Sequence, residues 1–155
     1  MDIKTIAIGS DHGGFPMKSE IIPFIESMKI EVKDVGCFNT ESCDYPDFAE
    51  KVCNLVVSKE VDLGVLICST GTGMSIAANK VKGIKCALVH DHFTAKMSRK
   101  HNDANVVAFG GKVIGIEVAK EIIEAFFTNS FEGDRHSRRV NKINQIEEKQ
   151  KQKQN

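Results

Sequence analysis

No run of apolar residues in this chain approaches the roughly twenty that a membrane-spanning helix needs, and the first apolar segment, IAIG, is too short for a signal-peptide core. A soluble, cytoplasmic protein without a membrane partner is expected. Neither sign of charge is in excess, since 21 Lys plus Arg face 21 Asp plus Glu. That balance excludes an overall field able to gather nucleic acid or an anionic surface, so any anion site must be local. Paired cysteines are missing as well. The five, at positions 37, 43, 53, 68 and 86, are odd in number and form no CxxC, which argues against a disulfide framework and a structural zinc site. No internal repeat or domain linker interrupts the chain. Its 155 residues, 41% hydrophobic, fit a single domain, placed at 1–147. The end, NKINQIEEKQKQKQN, loses nearly all apolar content, so 148–155 is read as a polar tail whose last seven residues are frayed, solvated helix.

What is present is alternation. Short β-branched or aliphatic runs (KTIAIG, EVKDVG, DLGVLIC, KCALVH, ANVVAFG) take turns with longer amphipathic ones (MKSEIIPFIESMK, YPDFAEKVCNLVVSK, GMSIAANKV, FTAKMSRKH, GIEVAKEIIEAFFTN). This pattern predicts an α/β protein: a Rossmann-like, three-layer α/β/α sandwich around a five-stranded parallel sheet. GVLIC and NVVAFG are apolar at successive positions, as strands covered on both faces are. Pro16 suits a first helical turn, whereas Pro23 falls inside the same helix and is expected to bend or shorten it.

Ligands of parallel α/β folds bind where the carboxyl ends of strands run into loops. Here the first strand runs into GSDHGGF, the third into CSTGTG, the fourth into HDHF and the fifth into GGK. Turn chemistry alone explains any one of these, since Gly, Asp and Ser are what tight turns demand. The third is the most telling. Its loop, Ser69 through Gly73, opens a helix and offers backbone N–H groups to phosphate, carboxylate or a developing oxyanion. Cys68, at the same helix end, is placed where thiolate is favoured over thiol, which suits a base or nucleophile; the plain alternative is a packed thiol. A phosphate-binding P-loop is rejected because Gly71 and Gly73 have neither its spacing nor a following Lys. A dinucleotide fingerprint is incomplete, with Ile76 at the third glycine position. A cysteine phosphatase would want an arginine where Met74 and Ser75 stand.

Further along, Arg135 and Arg139 lie four apart on one helical face with His136 beside them, an arrangement that holds phosphate by forked hydrogen bonds or is simply a solvated basic face. His101 and Asn102 precede the fifth strand; the histidine is an acid–base group near neutral pH or a helix-end residue. His90 and His92 have no third obvious ligand, so no metal is expected.

Taken together, GSDHGG, DYPDFA, LICSTGTGMSIAANK, SRKHNDANV, AFGGKVIG and GDRHSRRV resemble, in order and spacing, the type B ribose-5-phosphate isomerases, relatives of the galactose-6-phosphate isomerase subunits; the likeness spans residues 3 to 147. The resemblance implies a cofactor-free aldose–ketose isomerase of the pentose phosphate pathway, interconverting ribose 5-phosphate and ribulose 5-phosphate through a cis-enediolate. It also implies a homodimer, or a dimer of dimers, with each active site built across the subunit interface. Cys68 would be the base and His101 the ring-opening group. Ser69, Gly71, Thr72 and Gly73 would hold the enediolate oxygens by their backbone, with Thr70 close to the reacting atoms. Asp11, His12 and Tyr45 would meet the sugar, and Asn102 its hydroxyls. Arg135 and Arg139, with His136, would grip the phosphate from the partner subunit. Some family members use a glutamate a few residues after the cysteine position; Ser75 stands there, so the cysteine branch fits. Lys112 departs from the arginine often found at its position, keeping the charge but losing the fork. Two alternatives stay open: an isomerase of allose 6-phosphate or galactose 6-phosphate, and a non-catalytic phosphosugar- or nucleotide-binding module. Mere binding, however, needs neither a thiolate nor a titrating imidazole.

Overall fold

The computed structural model describes residues 2–153. Five strands, β1 (Thr5–Ser10), β2 (Glu31–Asp34), β3 (Leu63–Cys68), β4 (Cys86–Leu88) and β5 (Val106–Gly110), form one sheet in the order β2-β1-β3-β5-β4. Every neighbouring pair is parallel. Successive strands are joined by α1 (Phe15–Ser27), α2 (Tyr45–Val57), α3 (Thr72–Ala78) and α4 (His92–Asn102), and α5 (Ile116–Phe127) and α6 (Arg135–Lys153) complete the chain. The expected three-layer sandwich is therefore what these residues build.

The side chains of alternate strand residues divide the core in two. Ile6, Ile8, Leu63, Val65, Ile67, Val107 and Phe109 point to one face, where they pack with residues of α1, α4 and α5 such as Ile21, Ala95 and Phe126. Ala7, Leu66, Cys68, Val106 and Ala108 point to the other, against Val52, Cys53 and Val56 of α2 and Met74 and Ala78 of α3. β3 and β5 are buried throughout, as their unbroken apolar sequences predict. The second face carries smaller residues because α2 lies close: a Cβ added at Gly64 would come within 2.7 Å of Val52 Cγ1.

One expectation needs correction. Pro23 does not shorten α1, which runs on to Ser27. Both Pro23 and Ser19, whose carbonyl loses its helical donor, are exposed, so water replaces the missing bond. The polar tail, expected as solvated helix, carries α6 on to Lys153 with residues 151–153 exposed. Glu147 accepts the Gly83 N–H (3.2 Å) and Glu148 pairs with Lys82 (2.5 Å), which ties this end of the helix to the α3–β4 loop. Gln154 and Asn155 lie outside the described residues.

Candidate active site

Cys68 is the last residue of β3 and only 5% exposed. Its Sγ accepts a hydrogen bond from the Gly71 N–H (3.1 Å). Gly71 makes this possible with φ near +80°, a left-handed conformation that also leaves no room for a side chain: a Cβ there would lie 2.7 Å from the Phe109 carbonyl carbon. The sulfur thus faces the glycine turn, with its acceptor side engaged by backbone.

Loops from the two strands flanking β3 close around it. From β1, the Asp11 N–H donates to the Ile67 carbonyl (3.3 Å), and Asp11 Oδ1 accepts the Gly14 N–H (3.0 Å), which shapes the GSDHGG turn. From β5, the Gly111 N–H donates to the Cys68 carbonyl (2.8 Å) and the Lys112 N–H to the Ser69 carbonyl (3.1 Å). His12 Nδ1 accepts the Cys43 N–H (3.2 Å), so a neutral His12 carries its proton on Nε2. Tyr45 lies against the same loop: a Cβ on Gly73 would meet its ring at 2.5 Å. The Thr72 N–H donates to Thr70 Oγ1 (3.2 Å). Asp11, His12, Tyr45, Cys68, Ser69, Thr70, Gly71, Thr72, Gly73 and Lys112 are therefore gathered on one rim of the sheet. Ser75, buried, gives its hydroxyl to the Thr72 carbonyl (2.9 Å) and so braces the first turn of α3.

The remaining candidates stand on the opposite rim. α4 leads from the carboxyl end of β4 back to the amino end of β5, so His101 and Asn102, at its close, precede Val106, whereas Gly110 is the residue in register with Cys68. The length of β5 alone, four steps of about 3.3 Å, puts about 13 Å or more between them and the sulfur. His101 stacks on His136 with ring centroids 4.1 Å apart and planes 11° from parallel. Arg135 and Arg139 sit on the same helix, α6, exposed. His136 is buried, its Nε2 has no hydrogen-bond partner among the described residues, and its affinity for a proton is held below the ordinary histidine range, first by burial and then by His101 and Arg135. Atoms of His101, Glu132 and His136 lie within 4.8 Å of one another. Nearly parallel rings direct their in-plane lone pairs side by side rather than toward one point, so this stack is not arranged as a metal site.

Three contributors escape the sequence reading. His90 is half-buried, and its Nε2 accepts the Gly110 N–H (3.1 Å) and fixes the β5 loop behind Ser69. Arg99, 2% exposed, donates to the Ala104 carbonyl and, through Nε, to the Asn129 carbonyl (3.4 Å), which holds the end of α4 against the segment before α6. Glu132 lies beside His101. Motif spacing does not signal these contacts, because all but the one between Arg99 and Ala104 are made with segments distant in sequence. A spacious groove of about 700 Å³, between β4 and α6, reaches Asn102 and Ile143 but none of the residues around Cys68. Chemistry, not volume, marks the site.

A parallel α/β sandwich with a cysteine at its central strand end and a far-rim basic cluster defines a class, and known proteins narrow it. The family model described as Ribose/Galactose Isomerase matches residues 6–143. Ribose-5-phosphate isomerase B of Escherichia coli (strain K12) is 46% identical over 147 residues, covering 95% of this chain and 99% of that protein. A putative sugar phosphate isomerase of Bacillus subtilis (strain 168) is 52% identical over 145 residues, or 93% of this chain and 97% of its own length. Among solved structures, the Clostridium thermocellum Ribose-5-Phosphate Isomerase B superposes with a TM-score of 0.92 at 49% identity, covering 94% of this chain and 98% of that one. The chain belongs to the ribose/galactose isomerase family. Within it, the likeness is to the type B ribose-5-phosphate isomerases, as the six motifs imply.

Proposed function

We propose that this protein interconverts ribose 5-phosphate and ribulose 5-phosphate, with Cys68 as the base. The observation that carries the reading is the position of the Cys68 sulfur, at the meeting of three strand-end loops and hydrogen-bonded to the Gly71 N–H. In the open-chain aldose, the sulfur takes the proton from C2 and the carbonyl oxygen on C1 becomes the enediolate oxygen. Backbone N–H groups of the Ser69–Gly73 loop stabilise that charge without moving, as a preorganised oxyanion site does. The same sulfur returns the proton to C1 while the C2 hydroxyl proton passes to O1, leaving the ketose. No atom is gained or lost. Asp11, His12 and Tyr45 line the approach to this rim, and Lys112 offers charge there.

Ring opening and phosphate binding fall to His101, Asn102, Arg135, His136 and Arg139. In one chain these stand on the wrong rim, across a gap longer than a five-carbon chain spans. A second copy that lays its far rim over the Cys68 rim completes the site, so the working unit is a homodimer or a dimer of dimers. The phosphate grip then lies remote from the reacting carbons, where binding energy holds C1 and C2 in register.

Replacing Cys68 with Ala is expected to lower kcat by about a thousandfold or more while substrate binding changes little, since a missing base removes a transition-state interaction only. Near-normal turnover would refute the assignment. Wild-type rates compared side by side on ribose 5-phosphate, allose 6-phosphate and galactose 6-phosphate test the substrate: a higher kcat/KM on either hexose phosphate replaces the pentose reading.

A further inference from the structure

Glu132 closes the far-rim cluster. The segment between α5 and α6 turns back onto the end of α4, where the Glu132 N–H donates to the Lys100 carbonyl (3.0 Å). Its carboxylate Oε1 then stands 3.9 Å from His101 Nε2 and 3.8 Å from Lys100 Nζ. The His101 ring is meanwhile stacked on His136. At 3.9 Å the carboxylate's contact with imidazole is electrostatic rather than a hydrogen bond, so its strength depends on whether the imidazole carries charge.

We propose that Glu132 is the positioning carboxylate of His101, holding the imidazole in place and balancing its positive charge while the sugar ring opens. The proposal rests on reading His101 as the ring-opening group. When a ribofuranose opens, the C1–O4 bond breaks, O4 gains a proton and the C1 hydroxyl loses one. An imidazole that donates or collects either proton is a cation for part of that cycle. The charges around it are otherwise unfavourable: Lys100 comes from its own helix, and Arg135 and Arg139 of α6 act on the His136 stacked against it. Arg99 turns inward to the Ala104 and Asn129 carbonyls, and Asp103 pairs with it (3.7 Å), so neither offsets that excess. Glu132 is the carboxylate in reach of His101 among the described residues.

The chemistry of the two substrates supplies the test. Ribose 5-phosphate is mostly cyclic, whereas ribulose 5-phosphate has no ring to open because its C5 oxygen is esterified. Glu132→Gln is expected to lower kcat/KM on ribose 5-phosphate about tenfold, while exchange of the ribulose 5-phosphate C1 hydrogen with D2O, which needs enolisation but no ring closure, changes less than about twofold. Glu132→Asp, which keeps the charge, recovers part of the loss. Combined with His101→Asn, the Gln substitution adds no further loss, because it acts through that ring. An equal loss of ribose 5-phosphate turnover and of C1 hydrogen exchange, no recovery with Asp, or full additivity in the double variant would overturn the proposal. His101→Asn alone separates the two readings. If it discriminates between turnover and exchange and Glu132→Gln does not, the role of Glu132 falls by itself. If His101→Asn lowers ribose 5-phosphate turnover and ribulose 5-phosphate C1 exchange alike, ring opening by His101 falls, and this inference with it.

Discussion

Burial means opposite things for Cys68 and His136. Cys68 is buried with its sulfur satisfied by the Gly71 N–H, so enclosure shields the proposed base from bulk water. His136 is buried with Nε2 unpartnered among His101, Arg135 and Arg139, so its neutral form is favoured. The folded state refuses a proton that the unfolded chain accepts. Stability from this group is therefore complete above the ordinary histidine value of 6.5 and is lost as the pH falls below it toward the depressed folded value. Urea midpoints of the wild type are expected to fall between pH 7.5 and 5.5 more steeply than those of His136→Asn, which has no such proton to refuse. Parallel declines in the two proteins would show that His136 is protonated freely. Cys68 is legible in the sequence because strand, thiol and glycine turn are contiguous there. Glu132 is not, since its meaning arises only when a loop some thirty residues away in the chain folds back on Lys100.

The helices and strands were set by apolar periodicity, and what periodicity does not encode is how a polar residue becomes buried between them. Lys18 sits in α1, 1% exposed, at a position that reads in the sequence as an ordinary surface lysine. In the structure its ammonium meets Asp34 of β2 at 2.5 Å and the Cys37 carbonyl at 2.6 Å, with the Phe38 ring centroid 4.9 Å away. It thus pins α1 to the outer strand and to the segment leading toward His12 and Tyr45. Lys18→Met is expected to destabilise the fold by about 2 kcal/mol: less than for a fully buried pair, because Asp34 is 28% exposed and water can reach the carboxylate left behind. Chemical denaturation measures this directly. A variant as stable as wild type would mean that the ammonium's desolvation cancels all three contacts. Pro23 illustrates the same limit from the other side, since only the orientation of α1, with that residue toward solvent, tells that the proline is harmless.

At the scale of the whole molecule, the α/β class follows from alternation alone, but the strand order β2-β1-β3-β5-β4 does not. That order seats β3 at the centre, with β1 and β5 beside it, so three loops converge on Cys68. Parallel strands also fix where the other half of the chemistry goes. Each helix returns the chain to the opposite rim, so a residue at the end of α4 is carried away from the rim where β3 ends, however near the motifs stand in sequence. On the proposed reading one subunit holds two half-sites facing opposite ways, and a dimer that joins unlike rims would make two whole ones. Subunits carrying Cys68→Ala and subunits carrying His101→Asn, each nearly inactive on ribose 5-phosphate, are expected to regain activity when unfolded together and refolded as a mixture. Random pairing makes half of the dimers hybrids, and each hybrid has one site with both groups intact, so about one quarter of wild-type activity returns. Sites contained within single subunits would give no recovery at any mixing ratio, because every sulfur would then be matched with the histidine of its own chain.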